Sequence, residues 1–243
     1  AITPATAVSG TAGLGKTTIT AWCASDPRVW SRFTDGVVWL AFGQERTALE
    51  MLRQLGEILG LEHATGLRDE REATDRLRER LRGQSCLVVL DDVWHEWQVA
   101  AFKQLCPPTG STISLLLTTR LHELGSNFGE VQPLQHLEVD DAERVLMSYS
   151  GKTAAALHAD GELSTLLARC GGLPVMLRAV AMLLRRRRVA EVLRILDAPR
   201  REQRLPKVPG VAGYDYCTLF HALDASLDAL SSEDPAAARR FRM

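Results

Sequence analysis

The chain of 243 residues lacks long apolar runs and any large excess of charge. Its best apolar stretch, residues 173–184, is interrupted by Arg178 and is shorter than the roughly 18 residues of a membrane-spanning helix. The net charge is −1, so no overall field favours nucleic acid or a membrane as partner. Residues 1–4 carry neither the basic region nor the apolar run of a signal peptide. We therefore expect a cytoplasmic protein with no membrane partner.

The sequence also lacks a cysteine framework. Its five cysteines are an odd number, are widely separated and form no Cys-x-x-Cys pair. This pattern is untypical of a disulfide scaffold or a zinc site and typical of reduced thiols in the cytosol. Three of the five lie in apolar runs, and we interpret these as small buried hydrophobic residues.

What the sequence does contain, in its first part, is an alternation of strand-like and helix-like segments. Continuous apolar runs lie at residues 36–42, 86–90 and 112–118, and a further strand is expected near residues 131–137. Helical patterns separate them at residues 49–59, 73–81 and 97–105. Continuous rather than alternating runs are typical of parallel strands that are buried on both faces. We therefore predict an α/β domain with a mostly parallel sheet over residues 1–138.

Strand patterns disappear after about residue 139. Asp140-x-x-Glu143 predicts a capping-box start for a helix, and further helices are expected near residues 161–170, 174–184 and 189–196. A segment rich in proline and glycine follows, and a last helix carries leucines between Leu219 and Leu230. We expect a helical domain over residues 139–210 and the start of a third domain over residues 211–243.

The strongest motif is "GTAGLGKTT", which fits the phosphate-loop pattern G-x-x-x-x-G-K-[ST]. Glycines let successive backbone N–H groups turn toward phosphate oxygens, ahead of the positive end of a helix. The residues expected to bind nucleotide through this loop are Gly10, Gly13, Leu14 and Gly15. Lys16 is expected to reach the β- and γ-phosphates, the Thr17 hydroxyl to ligate Mg²⁺, and Thr18 to lie near the α-phosphate.

Two further strands are expected to end in polar groups beside this loop. "CLVVLDDVW" ends in adjacent acids, of which Asp91 is expected to hold Mg²⁺ and Asp92 to orient or activate an attacking water. "SLLLTTR" ends in Arg120, which would face the same crevice and sense or stabilise the γ-phosphate. Without a strand beside the one carrying Asp91, Arg120 would be an ordinary surface residue.

The order of these motifs resembles the NB-ARC family of STAND signal-transduction P-loop ATPases, which includes plant disease-resistance proteins, the apoptotic protease-activating factor and bacterial regulators. The matching blocks are "GTAGLGKTT", "LVVLDDVW", "LLLTTR" and "CGGLPVMLRAVA", and "LFHALDASLDALS" is similar to the start of the family's winged-helix domain. The resemblance implies ATP or ADP with Mg²⁺ as cofactors. It also implies that Pro174 lies against the nucleotide and couples it to the helical domain. The family's blocks upstream of the loop are missing, so we interpret the chain as trimmed at both ends.

On this basis we predict an ATP/ADP-binding molecular switch within a multidomain signalling protein. ADP would hold a closed state, ATP would favour self-association, and slow Mg²⁺-dependent hydrolysis by Lys16, Asp92 and Arg120 would reset the switch. Residues 178–207 hold ten basic against three acidic side chains, but no aromatic residues are interleaved for stacking on bases, so nucleic acid is not an expected partner. Two alternatives remain, a productive ATPase or phosphotransferase, and the central module of a DNA-binding transcription regulator.

Overall fold

The structure is a computed structural model that describes residues 5–106, 113–159 and 161–197. The chain divides into two units, Ala1–Gln135 and His136–Met243. None of the described helices is long and apolar enough to cross a membrane. The predicted helix between Leu219 and Leu230, and the domain expected over residues 211–243, lie outside the described residues.

A parallel sheet of five strands forms the centre of the first unit. The strands are β1 (Ala5–Ser9), β2 (Gly36–Ala41), β3 (Cys86–Val93), β4 (Ser114–Thr119) and β5 (Glu130–Pro133). They lie in the order β2-β3-β4-β1-β5, and every pair is parallel. The predicted α/β architecture with a parallel sheet is therefore confirmed. The structure places β4 directly between β1 and β3, so β4 lies beside the strand that carries the acids.

Both faces of the central strands β3 and β4 are buried, which explains why these strands contain continuous apolar runs. Val88 and Leu90 of β3 belong to a large core on one face, whereas Leu87 and Val89 pack with Phe33 on the other. Successive side chains of a strand point to opposite faces, so a strand covered on both sides has apolar residues at every position.

The helices of the first unit connect these strands. They are α1 (Lys16–Ala24), α2 (Pro27–Arg32), α3 (Ala48–Ile58), α4 (Glu70–Arg80), α5 (Glu96–Lys103) and α6 (His122–Phe128), with a 3₁₀ turn at Ala64–Gly66. Thr47 and Glu50 form a complete capping box at the start of α3. The helical patterns in the sequence did not include α2, although Asp26 caps it by accepting the Arg28 N–H and Pro27 occupies its first turn. The short α6 was also overlooked, since it contains Gly125 and Asn127, which are weak helix formers.

β3 spans Cys86–Val93, so the expected strand with Asp91 and Asp92 near its end is present, and it runs one residue past the acids. One expected boundary in the first unit is wrong. β5 stops at Pro133 instead of extending over residues 131–137. Leu134 still donates its N–H to the Ser9 carbonyl, which keeps this part of the chain against β1.

The described part of the second unit is helical. Its helices are α7 (Val139–Ser150), α8 (Ala154–His158), α9 (Leu163–Cys170), α10 (Pro174–Leu184) and α11 (Val189–Asp197). The predicted capping box at Asp140 is wrong, because the N-cap of α7 is Glu138, two residues earlier, and no side chain caps the helix. Asp140 and Asp141 lie instead in the first turn of α7, where negative charge is favourable. α10 begins at Pro174, as the sequence predicts.

Candidate functional site

The glycine-rich loop joins the end of β1 to the start of α1. Gly15 caps α1 in a left-handed conformation with φ of 86°, which a side chain would strain. Gly10 lies so close to Leu14 and Leu134 that an added Cβ would come within 2.9 Å of the Leu14 Cδ1 atom. Leu14 is buried and anchors the loop from below, while the first N–H groups of α1 have no partner within the helix. The loop is therefore shaped to present backbone donors to an anion.

Lys16 is the first residue of α1 and lies almost wholly buried against this loop. Its Nζ atom donates to the carbonyl oxygens of Gly10 at 2.7 Å and Thr11 at 2.8 Å. Burial lowers the pKa of Lys16, and the positive charge of Arg120 lowers it further, while Asp92 and Asp91 act in the opposite direction. Charged groups from the ends of two strands, β3 and β4, thus act on one ammonium group.

Thr17 and Asp91 are in direct contact across the site. The Thr17 hydroxyl donates to Asp91 Oδ1 at 2.9 Å and lies 3.2 Å from Oδ2. Among the described residues no group of three or more His, Cys, Asp or Glu side chains could hold a metal ion by itself. Mg²⁺ is commonly held by one or two protein oxygens together with substrate phosphates and water. A hydroxyl and a carboxylate side by side beside a phosphate-type loop fit this pattern, and Thr17 and Asp91 are the residues that would hold the ion.

Asp92 and Arg120 form an ion pair at the edge of the site. Arg120 Nε lies 3.5 Å from Asp92 Oδ1, and its guanidinium carbon stacks 4.5 Å from the centre of the Trp94 ring. Asp92 is one of two described residues other than glycine with positive φ, at 55°. Residues other than glycine rarely adopt this conformation; aspartate tolerates it better than most, and the strain that remains is held by its surroundings.

The structure thus brings together five of the predicted site residues within the first unit. Lys16, Thr17, Asp91, Asp92 and Arg120 converge at the ends of β1, β3 and β4. Thr18 is exposed on the first turn of α1, and its expected role at the α-phosphate stays a prediction. Pro174 belongs to the second unit, and its expected contact with nucleotide also stays a prediction.

Three residues that support this site are not among the predicted ones. Trp94 carries the Arg120 guanidinium, and Thr118 hydrogen-bonds to Asp91. Gln98 is fully buried, accepts the N–H groups of Trp94 and His95, and donates to the carbonyls of Gly43 and Arg46. Two signals were present. Thr118 lies in the "LLLTTR" block, two residues before Arg120. Gln98 lies three residues after the N-cap His95, at the position where a capping box has its second polar side chain.

A parallel sheet of order β2-β3-β4-β1-β5, a glycine-rich loop after its β1 strand and an acidic pair on β3 define a P-loop NTPase core. Comparison with known proteins narrows this class. The model of the NB-ARC domain family matches residues 3–155, more than half of the chain, and the chain belongs to that family. It is therefore a nucleotide-binding module of the kind found in multidomain signalling proteins.

Relatives and solved structures agree with this assignment. The chain is 31% identical over 144 residues to the Disease resistance protein RGA2 of Solanum bulbocastanum, covering 58% of this chain and 15% of that protein. It is 29% identical over 244 residues to Apoptotic protease-activating factor 1 of Danio rerio, covering 93% of this chain and 18% of that protein. This chain therefore spans less than a fifth of the length of either relative.

A solved structure supports the fold. It is the STAND protein with a tetratricopeptide repeat sensor from Pyrococcus horikoshii, with a TM-score of 0.55 at 19% identity. The match covers 74% of this chain and 28% of that one.

Proposed function

We propose that this chain is an ATP/ADP-binding molecular switch that works inside a multidomain, cytoplasmic signalling protein. ADP holds the resting state, and exchange for ATP favours self-association or engagement of effector and sensor domains. Slow Mg²⁺-dependent hydrolysis returns the switch to rest. When bound, Mg²⁺ supplies neutralisation of phosphate charge, and Thr17 and Asp91 are the residues of this chain that hold it.

The observation that carries this proposal is the contact between Thr17 and Asp91 beside the buried Lys16 ammonium. A hydroxyl from the loop, a carboxylate from β3 and a lysine on the loop itself supply the groups that binding of nucleoside phosphates requires. Arg120 lies close enough to Lys16 to lower its pKa, so both cations can act on one phosphate chain.

The pairing of Asp92 with Arg120 favours a latch over a rapid enzyme. A general base must be free to accept a proton from water, but Asp92 here holds a guanidinium at 3.5 Å. Arg120 is in turn retained by the face of Trp94. A γ-phosphate would have to draw Arg120 away from both partners. Contacts made in one nucleotide state and not in the other are what a switch requires.

Replacement of the loop lysine tests the proposal. We expect Lys16→Ala to abolish the binding of both ADP and ATP in isothermal titration calorimetry, because the phosphates lose their buried cation. Lys152→Ala, in the second unit, is the matched control and is expected to bind as the unaltered chain does. Unchanged ADP and ATP affinity in Lys16→Ala would refute the proposal.

Steady-state turnover separates the switch from a productive ATPase or phosphotransferase. Enzymes commonly turn over at about 1 per second or faster, and we expect this chain to be far slower. A sustained rate in the enzymatic range would favour the productive ATPase instead. Size-exclusion chromatography in ADP and in ATP tests the coupling to self-association.

A further inference from the structure

Thr118 occupies an unusual place in the sheet, opposite two residues instead of one. Leu90 of β3 pairs with Leu117 of β4, and Val93 pairs with Thr119. Between these pairs, Asp91 and Asp92 of β3 face Thr118 alone, which makes this a β-bulge. Bulges beside functional sites redirect side chains, and this bulge lies at both predicted acidic residues.

The Thr118 hydroxyl bonds to both residues of the bulge. It donates to Asp91 Oδ1 at 2.6 Å, and it accepts the Asp92 backbone N–H at 2.9 Å. The single hydroxyl hydrogen is directed at the carboxylate, because the N–H can only be a donor. Thr118 is 1% exposed, so water does not replace either bond.

These two bonds determine how the acids are presented. Asp91 Oδ1 receives hydroxyl hydrogens from Thr118 and from Thr17, which leaves the carboxylate little freedom to rotate. The bond to the Asp92 N–H supports the strained backbone of Asp92, where the ladder between β3 and β4 is interrupted. No other side chain among the described residues bonds to both positions.

We propose that Thr118 is a positioning residue for the magnesium site. Its hydroxyl aligns the Asp91 carboxylate with the Thr17 hydroxyl. The same hydroxyl stabilises the bulge that Asp91 and Asp92 form. It touches neither nucleotide nor metal and acts through Asp91. This inference rests on the proposed nucleotide-binding function, and it assigns a residue that the phosphate loop and the acidic pair do not include.

Replacement by valine and by serine tests the inference. Thr118→Val keeps the shape of the side chain and removes the hydroxyl, whereas Thr118→Ser keeps the hydroxyl. Loss of a group that orients a metal ligand commonly weakens metal affinity about 10- to 100-fold. We expect a weakening in this range for Thr118→Val and less than threefold for Thr118→Ser. Bound Mn²⁺ is measured by electron paramagnetic resonance in the presence of ADP.

A matched control excludes a general effect of removing a buried hydroxyl. Thr74 is also 1% exposed, and its hydroxyl bonds only to the Glu70 carbonyl within α4. We expect Thr74→Val to bind Mn²⁺ and ADP as the unaltered chain does. Circular dichroism establishes that each variant is folded.

Calorimetry of ADP binding with Mg²⁺ and with EDTA shows which step is affected. We expect Thr118→Val to bind ADP in EDTA with the affinity of the unaltered chain. We expect it to lose the increase in ADP affinity that Mg²⁺ provides. Equal weakening in EDTA and in Mg²⁺ would overturn the inference, because the hydroxyl would then support the loop rather than the metal. Thr118→Val with Mn²⁺ affinity within twofold of the unaltered chain, or Thr118→Ser as defective as Thr118→Val, would also overturn it.

Failure of the proposed function gives a different result. If the unaltered chain binds neither ADP nor Mn²⁺, the nucleotide switch is refuted and the metal role of Thr118 falls with it. If the unaltered chain binds ADP equally well with and without Mg²⁺, the inference fails while nucleotide binding stands.

Discussion

Two adjacent glycines in the second unit differ in the space that they leave for a side chain, and this difference should be measurable as a difference in stability. Gly171 and Gly172 both have positive φ, at 57° and 65°. A Cβ at Gly171 would have no atom within 4 Å. A Cβ at Gly172 would overlap the Leu137 carbonyl oxygen and lie 3.1 Å from the Leu137 nitrogen. Gly172 also accepts the Leu137 N–H at 2.8 Å, so the two backbone segments are held together.

The two alanine variants should therefore differ in stability. Gly171→Ala carries the left-handed strain of about 1–2 kcal/mol, offset by about 0.4–1 kcal/mol from the stiffer unfolded chain. We expect a net loss of about 1 kcal/mol. Gly172→Ala carries the same strain, and separating it from Leu137 adds about 1–3 kcal/mol for overpacking and about 1 kcal/mol for the hydrogen bond. We expect it to be at least 2 kcal/mol less stable than Gly171→Ala.

Urea unfolding followed by circular dichroism at 222 nm measures this difference, because helices lie in both units and those of the second unit contribute to the signal. All five tryptophans of the chain lie in the first unit, so their fluorescence follows that unit separately. Equal losses in the two variants, within about 0.5 kcal/mol, would refute the close approach of Gly172 to Leu137 as the source of the effect. A larger loss in Gly171→Ala would refute it as well.

Two further predictions follow from pKa values. Burial lowers the pKa of Lys16, and bound phosphates favour its charged form, so ADP affinity should fall as the pH rises into the alkaline range. ADP binding should take up protons there, which calorimetry in buffers of different ionisation enthalpy detects; a flat affinity with no buffer dependence would contradict this. Burial raises the pKa of Cys86 to about 11 and of Cys170 to about 12, so both should resist Ellman's reagent at pH 8 in the folded chain. Mass spectrometry locates the modified thiols, and rapid labelling of either cysteine before unfolding would be the contrary result.

Much of the core could be predicted because its signals are local. The phosphate loop is encoded in nine consecutive residues, and β3 and β4 contain continuous apolar runs because both faces of the sheet are covered there. The position of Asp91 beside Thr17 follows from the same logic, since the carboxyl ends of parallel strands meet at one edge.

What could not be predicted depends on register between strands that are distant in sequence. The bulge at Asp91 and Asp92 exists only because β3 has two residues where β4 has Thr118 alone. Neither strand shows this by itself, so the sequence predicted the acids near the end of β3 but not the bulge. The contacts of Thr118 and Trp94 depend on that register. The sequence therefore contains both residues in its motifs but does not show what they contact. The prediction of Asp140 as a capping residue was wrong for a smaller reason, because a helix boundary can move by two residues without changing the apolar pattern.

Both cations of the site already have partners within the protein, and this affects how a nucleotide would bind under the proposed function. Lys16 bonds to two loop carbonyls, which are neutral, whereas Arg120 is paired with the carboxylate of Asp92. ADP would need only the exchange at Lys16, but a γ-phosphate would also compete with Asp92 for Arg120. Success in that competition would free Asp92 at the moment when a γ-phosphate is present to be hydrolysed. Recognition of ATP and release of Asp92 from its ion pair are then the same event. An Arg120→Ala chain should therefore bind ATP and ADP with similar affinity, because it retains the contacts of both nucleotides at Lys16 and lacks the one at the γ-phosphate.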